Sequence, residues 1–170
     1  MSTDVTKRGF LLQALAQFIR AATSVSGVAR IAVIGSFTTE KLSPKDADVL
    51  VTVRDDADLG RLSRLGRRLK GIAQTRNLGA DIFLADQAGH YIGRTCPFKE
   101  CHPRSACAGN SCGFGNWICN DFEVVRLSDQ LIAEPPLEVW PKVVVRVTLP
   151  ADVRRVFIEE AHHASDQGAA

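Results

Sequence analysis

Three observations in the sequence predict an α+β fold. Two segments repeat apolar residues at spacings of three and four, the period of amphipathic helices. Three short runs, near residues 30–34, 46–53 and 80–84, are apolar or alternate as strands do. Between Gly89 and Asn120 both periods vanish, and glycine, proline, small polar residues and all five cysteines take over.

The first helix is expected over Thr6 to Ala22, where Leu11, Leu12, Leu15, Phe18, Ile19 and Ala22 share a face, and Gly27 breaks it. Arg30 to Ile34 is a near-continuous apolar run, which reads as a buried strand ending at Gly35-Ser36. A polar loop follows to Lys45, with Pro44 barring helix near its end. Asp46 to Val53 is the second strand. Extended backbone sets Val49, Val51 and Val53 on one face and Asp46, Asp48, Leu50 and Thr52 on the other.

Asp55, Asp56 and Asp58 suit the positive end of a helix, which continues through a stripe of Leu59, Leu62, Leu65, Leu69 and Ile72. Gly79 closes that connection, and Ala80 to Leu84 is a third strand. After the cysteine segment, strands are expected at 121–127 and 142–149, separated by Pro135, Pro136 and Pro141, then a helix from Pro150 and Asp152 through Ala161. The predicted order is helix, strand, strand, helix, strand, cysteine insert, strand, strand, helix. It fits a single domain over 1–170, with a core of about 6–86 plus strands within 121–149 and an insert at about 89–120.

Bulk properties narrow the class. A chain of 170 residues and 18.5 kDa, 45% hydrophobic, can bury a real core, which excludes disorder. A net charge of +2 does not by itself imply nucleic acid. Lys7, Arg8, Gln13, Gln17 and Arg20 interrupt the first apolar segment, so neither secretion nor a membrane span is expected, and the default compartment is cytoplasmic.

The strongest chemical signal is Gly35-Ser36, then Asp46-Ala47-Asp48, then Asp81 on the next strand. Aspartates at i and i+2 of a strand project from one face, and two such carboxylates ionise comfortably only with a cation between them. Mg²⁺, or Mn²⁺ in its place, takes oxygen ligands and completes its shell with water and substrate phosphate. A third carboxylate from a neighbouring strand can orient or deprotonate an attacking hydroxyl, or share a second metal. The Gly-Ser turn permits close approach of backbone N–H groups and a hydroxyl to a phosphate.

The runs Ile31-Ala32-Val33-Ile34-Gly35-Ser36, Lys45 to Val51 with its Asp-Ala-Asp, and Ala80-Asp81-Ile82-Phe83 resemble the DNA polymerase β-like nucleotidyltransferase superfamily, especially its minimal bacterial members. The resemblance covers about Gly27 to Asp86. It implies a mixed sheet flanked by helices and transfer of a nucleoside monophosphate from a nucleoside triphosphate (NTP) to a hydroxyl of RNA, protein or a small molecule. It also implies that Gly35 and Ser36 hold the triphosphate, Asp46 and Asp48 ligate Mg²⁺, and Asp81 assists the acceptor. Minimal members often sit in toxin–antitoxin pairs, so an antitoxin-type partner or a homodimer is implied as well. Phe37 to Glu40 stand where many relatives carry Arg and Gly, and Lys45 where many carry Ser. The alternative is a non-catalytic binding module on the same core.

The cysteines run Cys96-x4-Cys101-x5-Cys107-x4-Cys112-x6-Cys119, with His102 beside the second. A reducing compartment favours metal over disulfides, and a long loop without a period needs a staple. Cys96, Cys101, Cys107 and Cys112 are the candidate ligands of Zn²⁺ or of an iron–sulfur cluster, with Cys119 or His102 as substitutes. Disulfides and free thiols are the rivals. The six cations between Arg61 and Arg76 are either a rail for RNA or a triphosphate, or the solvated face of their helix. Phe98, Phe114 and Trp117 either stack bases or pack around the metal.

Overall fold

The computed structural model describes residues 6–99, 117–119 and 125–167. Helix α1 (Lys7–Ala22) starts where the Thr6 hydroxyl accepts the Gly9 N–H at 3.1 Å, and it buries the predicted face from Leu11 to Ala22. A turn at Gly27 leads to β1 (Val28–Ile34), a short 3₁₀ helix (Gly35–Thr38) and β2 (Asp46–Val53). Helix α2 (Leu59–Gln74) is capped by Asp58 alone of the three expected acids, its carboxylate accepting the Arg61 N–H at 3.0 Å. Then come β3 (Gly79–Ala85), β4 (Tyr91–Thr95), β5 (Ile118–Cys119), α3 (Asp129–Ala133), β6 (Leu137–Trp140) and β7 (Val144–Val145). Helix α4 (Ala151–Arg154), a π-helical turn (Arg155–Glu159) and α5 (Glu160–Gln167) run on from one another.

Among the described residues, seven strands form one mixed sheet in the order β5-β4-β3-β2-β1-β6-β7. All neighbours are antiparallel except β2 and β3, which are parallel and joined by α2 as the crossover. The alternation in β2 and β3 decides what each face does. Ala47, Val49, Val51 and Val53, with Ala80, Ile82 and Leu84, lie in one core with α1, α2 and the C-terminal helix. Leu50, Phe83 and Ala85 belong to a smaller cluster on the other face, with Ala32, Ile34, Tyr91 and Ile132. Asp46, Asp48 and Asp81 are on that second face, just before its apolar cluster begins.

Several elements depart from expectation. Strand β4 lies where no strand period was legible, because Gly93 and Arg94 break the apolar alternation; its pairing with β3 supplies the order instead. Gly93 has φ +125°, and a Cβ there would meet the Cys119 carbonyl of β5. Strand β6 occupies the segment read as a proline-bounded separator, hydrogen-bonded to the edge of β1. Of the strand expected at 121–127, residues 125–127 are irregular and 121–124 lie outside the described residues; a short helix, α3, follows instead, capped by Ser128. Only Val144 and Val145 of the run 142–149 pair, while Val143, Val145 and Val147 remain exposed. Among the described residues no helix is long and apolar enough to cross a membrane.

Two glycines test the packing in opposite senses. Gly27 has φ +85° and a Cβ would run into the backbone of Ala57, where the two connections on that side of the sheet cross. Gly71 lies exposed in α2 with open space around it. Chemical denaturation should find Gly27→Ala destabilised by about 1–3 kcal/mol and Gly71→Ala stabilised by about 0.5–1 kcal/mol. Equal effects would refute the close crossing.

Candidate functional site

Strand register brings the three aspartates together. In the parallel pair, Asp48 lies directly beside Asp81 and Asp46 beside Gly79; on the other side of β2, Asp48 pairs with Ile34. A row therefore runs Ile34, Asp48, Asp81 across β1, β2 and β3, and Asp46 stands two residues outside it on the same face. Asp46 is exposed, while Asp48 and Asp81 are half-buried.

Glycine makes the room these side chains need. Gly35, immediately after Ile34, has φ +72°, and a Cβ there would collide with the Asp48 carboxylate. Gly79 does the same for Asp46, whose Oδ1 occupies the space a Cβ would take. Gly35 was legible as part of a Gly-Ser turn. Gly79 was read only as the end of a connection, since its role follows from pairing with a strand thirty residues earlier. Ser36 is half-buried in the first turn of the 3₁₀ helix.

The loop after Ser36 is pinned rather than free. Phe37 is fully buried, and the Arg8 guanidinium lies 5.1 Å over its ring. Arg8 also donates to the Lys41 carbonyl at 2.7 Å and to Asp152 at 2.6 Å, so α1 and α4 hold the loop from behind. The Arg8 hydrogen bond holds the Asp152 carboxyl below its ordinary value. The Thr38 and Thr39 hydroxyls donate back to Gly35 and Ser36 at 2.7 and 2.8 Å.

Electrostatically the acids oppose one another. Burial, then the charge of Asp81, then that of Asp46 push Asp48 from 3.8 up to about 6. Asp81 has a partner that the sequence did not announce: Arg94 of β4 donates to its Oδ1 at 2.9 Å. No local signal marks Arg94, because the contact depends on β3–β4 pairing. Among the described residues, no three His, Cys, Asp or Glu side chains converge as a formed metal site. The donor set nevertheless suits a hard divalent cation: oxygen ligands, excess negative charge, and a carboxylate whose ionisation is opposed until a cation arrives.

Of the predicted cysteine ligands, Cys101, Cys107 and Cys112 lie outside the described residues, as does His102. Cys96 is buried just past β4, its N–H donating to the Trp117 carbonyl and its carbonyl accepting from Ser63, both at 2.8 Å. Cys119 faces Arg94 across the β4–β5 pairing. Both cysteines are among the residues lining a cleft, with Asp81 and Arg94 and with Arg67 and Lys70 of α2.

The raised Asp48 carboxyl sets a pH dependence. The folded chain holds this proton more tightly than the unfolded chain, so deprotonation opposes folding. That penalty is absent below 3.8, grows as pH rises, and is complete above about 6. In metal-free buffer at pH 7, Asp48→Asn should exceed the wild type in stability by about 1 kcal/mol, a value discounted because solvent still reaches the carboxylate. The gap should close in denaturation measured near the ordinary carboxyl pKa; a wild type at least as stable at pH 7 would contradict the repulsion.

No curated protein and no solved structure matches the chain. A family model matches residues 1–105 of the 170, a span that includes Gly35, Ser36, all three aspartates, Arg94 and the first two cysteines. The chain thus belongs to the family described as a family of unknown function (DUF6932).

Proposed function

We propose that the protein is a divalent-metal-dependent nucleotidyltransferase, moving a nucleoside monophosphate from an NTP to a hydroxyl acceptor. The observation that carries the reading is the three-strand row: Asp48 beside Asp81 on parallel strands, Asp46 on the same face, and a glycine turn pressed against Asp48. Asp46 and Asp48 would hold Mg²⁺ or Mn²⁺, which when bound supplies charge neutralisation and Lewis acidity at the phosphates. Gly35 and Ser36 present backbone and hydroxyl donors to the triphosphate. The acceptor oxygen bonds to the α-phosphorus as that atom's bond to the bridging oxygen breaks and pyrophosphate leaves. The hydroxyl proton passes to Asp81, whose Oδ1 is held by Arg94, leaving its second oxygen to accept.

A second reading is supported by the same ion pair. Arg94 partly neutralises Asp81, which suits a nucleotidyltransferase-like binding module that has no use for a third catalytic carboxylate. Under either reading, a structural Zn²⁺ on the cysteine segment, or an iron–sulfur cluster in its place, is part of the proposal. Its support is chemical: Cys96, just past β4, and Cys119 of β5 line one cleft, and thiolates suit both centres.

Calorimetric titration of Mg²⁺ with each NTP tests the first reading. Binding should require the metal, and Asp46→Ala with Asp48→Ala should weaken it beyond the roughly 10–100-fold that disturbing a metal's outer shell costs. Gly35→Ala should act in the same direction by displacing Asp48. Metal-dependent binding without transfer of an α-labelled nucleotide to any acceptor would favour the binding module; no binding by folded protein would end both nucleotide readings. For the cysteine segment, elemental analysis of the purified protein should return one zinc per chain without visible absorption. Iron with broad visible absorption would assign a cluster, and neither metal would remove the centre from the proposal.

A further inference from the structure

The cations of α2 are not spread evenly around the helix. Its sequence contains no acid, and among the described residues none of Arg64, Arg67, Arg68 and Lys70 meets a carboxylate. Arg64 and Arg68 are exposed, whereas Arg67 and Lys70 are half-buried and line the cleft that Arg94 and Asp81 share. That cleft opens where the β3–β4 pairing ends at Phe83 and Arg94, so it lies past the last rung of the ladder. Among the described residues, Arg67 and Lys70 bring to this cleft positive charge that no carboxylate meets and that an anion would balance.

The cleft is also on a definite side of the acids. Gly35 and Ser36 follow β1, on the Asp48 flank, and the cleft lies beyond β3, on the Asp81 flank. A triphosphate held by the Gly-Ser turn would therefore approach from one side and leave the other for the acceptor. Next to the cleft, the Arg67 guanidinium lies 5.4 Å from the centre of the half-exposed Trp117 ring, and Arg67 also donates to the Ser63 hydroxyl at 3.0 Å. Ser63 is itself fixed by its bond to the Cys96 carbonyl. The cation is held in place by a hydroxyl and an aromatic face, neither of which neutralises it.

We propose that this cleft, built from Arg67, Lys70 and Arg94 beside Trp117, binds the phosphodiester backbone of a single-stranded nucleic-acid acceptor. The proposal rests on the nucleotidyltransferase reading for the step that follows binding, namely presentation of a strand hydroxyl to Asp81. Lys70 and Arg67 take the phosphate nearest the acids, Arg64 and Arg68 continue the positive surface along α2, and the Trp117 ring offers a face to a base. Stacking combined with a basic track is what distinguishes a single strand from an isolated phosphate or an acidic peptide.

The test is fluorescence anisotropy with a short labelled single strand, as RNA and as DNA, added to the full chain without NTP. At least one should bind at low salt, with affinity falling linearly in log salt. Arg67→Ala and Lys70→Ala should each weaken binding about uniformly across sequences and lower the salt slope by about one, while Arg20→Ala, an exposed cation at the end of α1, should change neither. Both cleft variants should keep the wild-type melting temperature and Mg²⁺–NTP binding, and Asp46→Ala with Asp48→Ala should keep strand binding. No binding of either strand, or binding that the cleft variants leave unaltered, overturns the proposal. So does displacement of the strand by NTP with matching loss of NTP binding in Lys70→Ala, which would give the cleft to the donor's phosphates. Strand binding through the cleft with no NTP binding anywhere upholds the cleft and removes the nucleotidyltransferase reading alone.

Discussion

The parallel pairing of β2 with β3 is the constraint on which the rest depends. It places Asp48 and Asp81 side by side, at a spacing no chain would choose for two like charges alone. The cost is visible in Asp48, which burial and its two acidic neighbours push up to about 6. Such an arrangement persists because the opposite face of the same strands is an apolar core of valine, isoleucine and leucine under two long helices. Shifting the register by one residue to relieve the acids would take that whole apolar set out of its core and onto the face that carries the acids.

Around the acids the chain is shaped by what is missing as much as by what is present. Gly35 and Gly79 lack the Cβ atoms that would collide with Asp48 and Asp46; one follows β1 and the other opens β3, the two neighbours of β2, so the space is made from both sides. Behind the Gly-Ser turn, Arg8 ties the following loop to α4 through Asp152 and covers the buried Phe37. The turn is thereby held at a fixed place relative to the carboxylates.

Charge is segregated across the site. The Asp48 flank is acidic and opens towards the Gly-Ser turn, whereas the Asp81 flank is bounded by Arg94, Arg67 and Lys70. Asp81 lies at the boundary and has one oxygen engaged by Arg94. Among the described residues the two sides therefore differ in the sign of the charge they present.

Much of this was determined locally and so could be read from the sequence. The face of α1 from Leu11 to Ala22, the leucine stripe of α2, and the alternation that sets Asp46 and Asp48 apart from Val49 and Val51 all express periods within one element. The Gly-Ser turn and the third aspartate were legible because they stand beside apolar runs. Tertiary structure decided what depends on partners distant in the chain. Strand β4 is ordered by β3, and β6 by the edge of β1, despite prolines on both sides. Arg94 meets Asp81, and Lys70 turns into a cleft rather than into solvent, only because the sheet and its crossover helix bring them there. Local periodicity encodes which face of an element is buried; strand pairing, a non-local choice, encodes which charges must live beside one another.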